Sequence, residues 1–416
     1  MFRVAFAAIA FSGILVACSG DPEDFPDDSD DAGARTDASV DATDDTTLLP
    51  DVGVEGDGDA ATPPVTRWLT AYYPGYKAAD LPPNKVEFAK MTHLVHFALI
   101  PRADASLNAT ANNLGAAQTK EIVQLAHAAG KKILISIGGA VPKGDFEAAA
   151  ATPQKRTTLV ANLVSYVVQN GYDGIDLDWE PIPEPDLFQA LVPELDAALA
   201  AADPKYLLSC ASPGPATTLA PVAKYFDQLN IMTYDVSGPY SQWITWFNSP
   251  ISAGTTVFPS TGKAVPAIDS ILEKYVQLGV SPSKLGIGAP FYGYIWTGGT
   301  GTPTGGVSLP RQPWTTAPKT TRTGYANLLS QFAGIPKQWD PVAKVPYFSI
   351  DKAGSADDQF VSFDDEQAMK EKADFVIQKG YGGVIVWELE QGYFPENPNA
   401  TQQPLLTALA QGLGIK

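Results

Sequence analysis

The sequence predicts an α/β chain whose folded part, residues 65–416, is a parallel (β/α)8 barrel interrupted once. Three observations predict it. From Thr66 onward, apolar strand-like runs alternate with segments of helical periodicity, and eight such runs occur. The span of about 350 residues is long for one core unless the architecture is a barrel. One run, Ile175 to Glu180, places Asp176, Asp178 and Glu180 on one parity and Ile175, Leu177 and Trp179 on the other. A strand sends alternate side chains to opposite faces, so this one needs a helical cover on one side and a cleft on the other.

Residues 1–17 precede the barrel with one charge, Arg3, and an apolar run through Val16. The run is too short for a membrane span and reads as a signal peptide. Its end, Leu15-Val16-Ala17-Cys18, resembles the lipobox of bacterial lipoproteins, which implies cleavage before Cys18 and a lipid on its sulfur. An ordinary signal peptide with a chance cysteine is the competing reading, but the chain has only one other cysteine, Cys210. The expected product is exported and anchored to a membrane rather than spanning it. Ser19 after the cysteine points, by the same resemblance, to the outer membrane or cell surface. With Cys18 lipidated, Cys210 lacks a disulfide partner and reads as a buried free thiol in an apolar run.

Residues 18–64 form a linker. From residue 19 it holds 15 Asp and Glu against one basic residue, Arg35, and a single aromatic, Phe25. Such a segment cannot bury enough apolar surface to offset its ordering entropy, so disorder is expected. It carries −14 of the −18 net charge, leaving about −5 for the barrel. The acidity therefore belongs to an extended tether. With no basic patch anywhere, nucleic acid is excluded as a partner.

Within the barrel, strands are expected at 68–73, 92–100, 132–137, 175–180, 206–212, 228–234, 285–292 and 383–387. Helices are expected around 119–129, 155–170, 185–202, 267–278 and 405–413. The segment from about 296 to 361 breaks the rhythm with Gly, Thr and Pro repeats, yet it holds Trp296, Trp314, Tyr325, Trp339 and Tyr347. So many aromatics predict a packed unit rather than a long loop.

The acidic row is the candidate active site. Carboxyls two residues apart on a strand lie about 6–7 Å from one another. In a partly desolvated cleft they cannot all ionise freely, so at least one pKa should rise. A carboxyl that keeps its proton near neutral pH can act as a general acid, and Glu180, last in the strand, reaches the rim. A calcium loop would want Gly where Trp179 stands, and an exposed acidic edge would not need so apolar a back.

Asp173-Gly174-Ile175-Asp176-Leu177-Asp178-Trp179-Glu180 resembles the D-G-x-D-x-D-x-E signature of glycoside hydrolase family 18, the chitinase family. Other strand ends agree. Ser136-Ile137-Gly138-Gly139 is similar to the family's S-x-G-G, and Met232-Thr233-Tyr234-Asp235 matches its M-x-Y-D. Trp387 stands where the family has a stacking floor, and Tyr72 aligns with a tyrosine that contacts the carboxylate row, although it could also be a core aromatic. The resemblance covers essentially all of 66–416. It implies a TIM barrel whose irregular segment is a small α+β insertion between the seventh strand and its helix, leaving through Phe360-Val361-Ser362-Phe363-Asp364-Asp365 and a helix with Lys370. It also implies retaining, substrate-assisted hydrolysis of chitin or N-acetylglucosamine oligosaccharides without metal or cofactor. The three histidines, His93, His96 and His127, lack ligand-like spacing.

The roles implied are Glu180 as acid, Asp178 as holder of the acetamido N–H, Tyr234 as its orienter and Asp176 as proton-sharing partner. Tyr72, Phe97, Gly139, Asp173, Met232, Asp235, Tyr292 and Trp387 are implied as sugar contacts. Two departures stand out. Pro181-Ile182-Pro183 follows the acid in place of the frequent Y-P, and Tyr294 stands where many members have a basic residue. Trp243 and Trp246 could stack on sugar or pack under a loop. Alternatives are an endo-β-N-acetylglucosaminidase on N-glycans and a non-catalytic lectin, the latter disfavoured by Glu180. No chitin-binding module is evident, and a monomer is expected.

Overall fold

The computed structural model describes residues 67–140, 144–180, 184–352, 357–397 and 401–415. Residues 1–66, on which the expected signal peptide, lipidated Cys18 and linker fall, and Pro181-Ile182-Pro183 lie outside the described residues. In chain order the first elements are β1 (Trp68–Pro74), β2 (His93–Pro101), a short β3 (Leu107–Asn108), α1 (Ala116–Ala128), β4 (Lys132–Ala140), α2 (Asp145–Ala150) and α3 (Pro153–Asn170). Next come β5 (Gly174–Glu180), α4 (Pro185–Ala202), β6 (Leu207–Ser212), α5 (Ala216–Leu219), β7 (Gln228–Ile231), α6 (Ile268–Gln277) and β8 (Leu285–Pro290). Then follow β9 (Tyr292–Thr297), β10 (Lys319–Gly324), α7 (Tyr325–Gln331), β11 (Gln338–Asp340), β12 (Val345–Ile350) and β13 (Gln359–Ser362). The described chain ends with α8 (Glu366–Lys379), β14 (Gly383–Trp387) and α9 (Pro404–Leu413).

Strands β1, β2, β4, β5, β6, β7, β8 and β14 pair in parallel, each with the next, and β14 returns to β1. The sheet is therefore closed, as the alternation predicts. Local chemistry aims β5. Thr152 caps α3 by accepting from the Lys155 amide at 3.3 Å, Pro153 starts the helix, and Gly171 at φ +73° ends it. The turn that follows leads straight into β5. Ile175, Leu177 and Trp179 are buried outward among the side chains of α3 and α4, and the Trp179 ring stacks on Phe146 at 3.9 Å. Inside, side chains fill the barrel: Thr70 donates to Gln228 and the Trp68 indole to Asn230, both at 2.8 Å.

Two boundaries differ from expectation. The sixth barrel strand stops at Ile231, so Met232, Thr233 and Tyr234 lie beyond it. There the Thr233 hydroxyl accepts from the Gly288 amide at 2.9 Å, a side chain standing in for a ladder bond. The seventh stops at Pro290, and Tyr292 already belongs to a second, five-stranded sheet ordered β10-β9-β13-β12-β11. This sheet, with α7, is the α+β insertion, and it begins four residues before the expected boundary. It also settles Trp243 and Trp246. Both are buried in an apolar cluster with Trp296 and Phe360, and the Trp246 indole donates to the Pro266 carbonyl at 2.8 Å. They pack beneath the insertion and do not face the cleft.

Candidate active site

The acidic row rises through the barrel interior as parity requires. Asp176 and Asp178 are buried, while Glu180 is partly exposed at the rim. Register surrounds Asp176 with hydroxyls, since Ser136 on β4 and Ser209 on β6 lie directly beside it. Ser209 donates to Asp176 Oδ1 at 2.5 Å and the Tyr72 hydroxyl donates to Oδ2 at 2.9 Å. Burial pushes the Asp176 carboxyl up, and the Ser209, Tyr72 and Ser136 hydroxyls oppose it.

Asp178 and Glu180 titrate as a pair. Asp178 is pushed well up, first by burial, then by the charges of Glu180 and Asp176 and by its hydrogen bond with Glu180. Its Oδ1 has no hydrogen-bond partner among the described residues. Glu180 is pushed up to about 7 by burial and then by the charge of Asp235, against the Asp178 hydrogen bond and the Arg322 charge, which lower it. Two close carboxyls in a desolvated site share a proton near neutral pH. Burial is the first cause at all three carboxyls, and repulsion within the row adds to it only at Asp178.

Glycines make room for the row. A Cβ on Gly138, at φ +110°, would lie 2.0 Å from the Asp178 carbonyl oxygen. One on Gly139 would meet the Phe97 ring at 2.4 Å, so Gly139 serves close packing. Phe97 in turn meets the Trp387 ring edge-on at 4.8 Å, with Tyr72 5.6 Å from Trp387. These rings form an aromatic floor around the carboxyls.

The opposite wall comes from the segment after β7 and from the insertion. Met232 packs against the inner cluster that includes Tyr234, whose ring meets Tyr292 edge-on at 6.1 Å. Gly288 leaves space for Tyr234, because a Cβ there would lie 2.6 Å from its ring. Asp235 adopts φ +57°, and its amide donates to Asn248 Oδ1 at 2.8 Å. Its Oδ1 accepts from the Tyr292 hydroxyl at 2.6 Å and the Tyr294 hydroxyl at 3.0 Å.

Asp173 departs from expectation. It precedes β5 at the end of the barrel away from the carboxyl row, accepting from Lys132 Nζ at 2.7 Å and the Ile133 amide at 2.9 Å and pairing with His127 at 2.9 Å. It clamps the base of the fold and is no sugar contact. His96 is structural, its Nδ1 2.8 Å from the Tyr172 hydroxyl. Cys210 is buried and free, as read. Sequence reasoning missed Ser209, Asn248 and Arg322. Alternation along β6 leaves Ser209 on the inner face, and the register of β6 against β5 sets it beside Asp176.

A family model described as glycosyl hydrolases family 18 matches residues 69–392. Chitinase A1 of Niallia circulans is 32% identical over 291 residues, covering 62% of this chain and 40% of that protein. A chitinase-like effector of Moniliophthora roreri is 28% identical over 403 residues, covering 83% of this chain and 93% of it. The chain thus spans less than half of the first relative and nearly all of the second. In fold it resembles the Ostrinia furnacalis Group IV chitinase solved with allosamidin, with a TM-score of 0.69 at 22% identity, covering 84% of this chain and 99% of that one. A closed barrel, a carboxyl row on its fourth strand and a match over most of the folded part agree: the chain belongs to the glycosyl hydrolases of family 18.

Proposed function

We propose that this protein is a chitinase that hydrolyses β-1,4-linked N-acetylglucosamine polymers by retaining, substrate-assisted catalysis. The observation that carries the reading is the Asp178–Glu180 pair, in which Glu180 at the rim is pushed up to about 7 while its partner is buried behind it. Glu180 gives its proton to the glycosidic oxygen as the bond to the anomeric carbon breaks. The carbonyl oxygen of the substrate's own N-acetyl group forms the new bond from behind, giving a cationic oxazolinium ring. Asp178 accepts the acetamido N–H and balances that charge, and the Tyr234 hydroxyl steers the carbonyl oxygen. Asp176, fixed by Tyr72 and Ser209, takes a share of the Asp178 proton as Asp178 turns to the substrate. Glu180, now ionised, removes a proton from water, which opens the ring and restores the β-configuration.

The names of the relatives support chitin as the substrate class. An endo-β-N-acetylglucosaminidase would use the same row on a different glycan. The test compares sugar release from chitotetraose and from a high-mannose glycopeptide by the barrel, residues 66–416, and by the full chain. Cleavage of chitotetraose is expected. Cleavage of the glycopeptide alone overturns the substrate assignment, and binding of chitotetraose without cleavage marks a lectin.

A further inference from the structure

Arg322 stands in the middle of β10, within Thr320-Thr321-Arg322-Thr323. That strand runs antiparallel to β9, with Arg322 directly opposite Tyr294 and Gly324 opposite Tyr292. Opposed residues, and residues two apart on one strand, share a face of a sheet. Tyr292, Tyr294 and Arg322 therefore project together, and their face is the cleft wall, because both tyrosine hydroxyls end on Asp235 beside Tyr234.

The guanidinium carbon lies 3.7 Å from the centre of the Tyr292 ring, stacked on it as a cation on an aromatic face. Partial burial of the guanidinium works against its charge, and Tyr292, Asp235, Tyr294 and Glu388 outweigh it. The residue as a whole remains exposed. None of the hydrogen bonds or ion pairs among the described residues ends on its guanidinium. A stacked arginine with open donors is preorganised for oxygen acceptors such as amide carbonyls and sugar hydroxyls. For an ammonium group it has the wrong sign. Without it the same wall presents the exposed Asp235, which would attract an ammonium.

We propose that Arg322 is a specificity residue of the cleft, donating to N-acetylated sugar units and excluding units with a free 2-ammonium from the position beside the reacting one. The inference rests on the hydrolysis proposed above and narrows its substrate to highly N-acetylated polymer. The charge of Arg322 also reaches the acid, since it holds Glu180 down. A purely structural arginine would leave the pH profile alone, so the profile is a second readout.

The experiment digests a partly N-acetylated glucosamine polymer with the parent, Arg322→Gln and Arg322→Lys, and sequences the product ends by mass spectrometry. In the parent, the unit beside the reacting one is expected to be N-acetylated. Arg322→Gln is expected to raise glucosamine there several-fold and to move the basic limb of the kcat/KM profile upward. Arg322→Lys should keep both the exclusion and the limb while raising KM, because the charge stays and the planar fork is lost. Identical product ends and profiles for the parent and Arg322→Gln overturn the inference and leave hydrolysis standing. Glucosamine at the reacting unit itself overturns the substrate-assisted mechanism instead. A parent that cuts no such polymer overturns the function and the inference with it.

Discussion

Glu180→Gln is expected to lower kcat on chitotetraose by about 10³-fold, within the range that general acid–base groups supply. KM should change little, because the amide keeps the size and hydrogen-bonding capacity of the acid and only proton transfer is lost. The pH dependence carries the sign. An acid catalyst works while protonated, and Glu180 is pushed up to about 7, so parent activity should fall as pH rises through about 7. The residual activity of the variant should lose that limb. Folding provides a control. A carboxyl whose folded pKa lies above its unfolded one stabilises the fold below the unfolded value, and that contribution is lost as pH rises through the folded value. At pH 8 the parent holds an ionised, partly desolvated Glu180 that the variant lacks, so the variant should melt no lower than the parent. A fall in melting temperature that tracks the loss of activity would instead indicate misfolding.

The second large effect is expected at Asp178→Asn, about 10²–10³-fold in kcat, as for the loss of one oriented electrostatic contact in a water-poor site. Asn cannot balance an oxazolinium charge, nor can it share a proton with Glu180. The signature should lie in kcat more than in KM, because the charge develops after binding. Steady-state kinetics on chitotetraose at several pH values separate the cases. An Asp178→Asn variant with parent kcat would remove Asp178 from the mechanism.

Much of the site was legible because it is local. Asp176, Asp178 and Glu180 sit on one strand, and a period of two fixes their common face whatever surrounds them. Asp173 belongs to the same eight-residue signature but lies seven residues from Glu180, roughly 23 Å along an extended strand. One motif can therefore hold both ends of a barrel, and its first residue braces the end without chemistry. Tyr234 was found by its motif but placed on a strand that ends three residues earlier, because an apolar run does not reveal where side chains such as Thr233 replace the ladder.

Longer-range features were not legible. Ser209 reaches Asp176 through strand register, Asn248 pins Asp235 from a loop, and Arg322 reaches the cleft only through the pairing of β10 with β9. Nothing within Lys319-Thr320-Thr321-Arg322 says which strand it will meet. Trp243 and Trp246 illustrate the converse. Their aromatic character suited either sugar or core, and the insertion they pack under is distant in sequence.

The central claim is that the substrate's own N-acetyl group performs the first displacement. The most direct test follows chitotetraose by proton NMR during the first minutes of cleavage, before the free sugar ends equilibrate. The account predicts that the newly formed reducing end appears as the β-anomer and only later drifts to the mixture. An α-anomer formed first would mean a single displacement by water, and would contradict it.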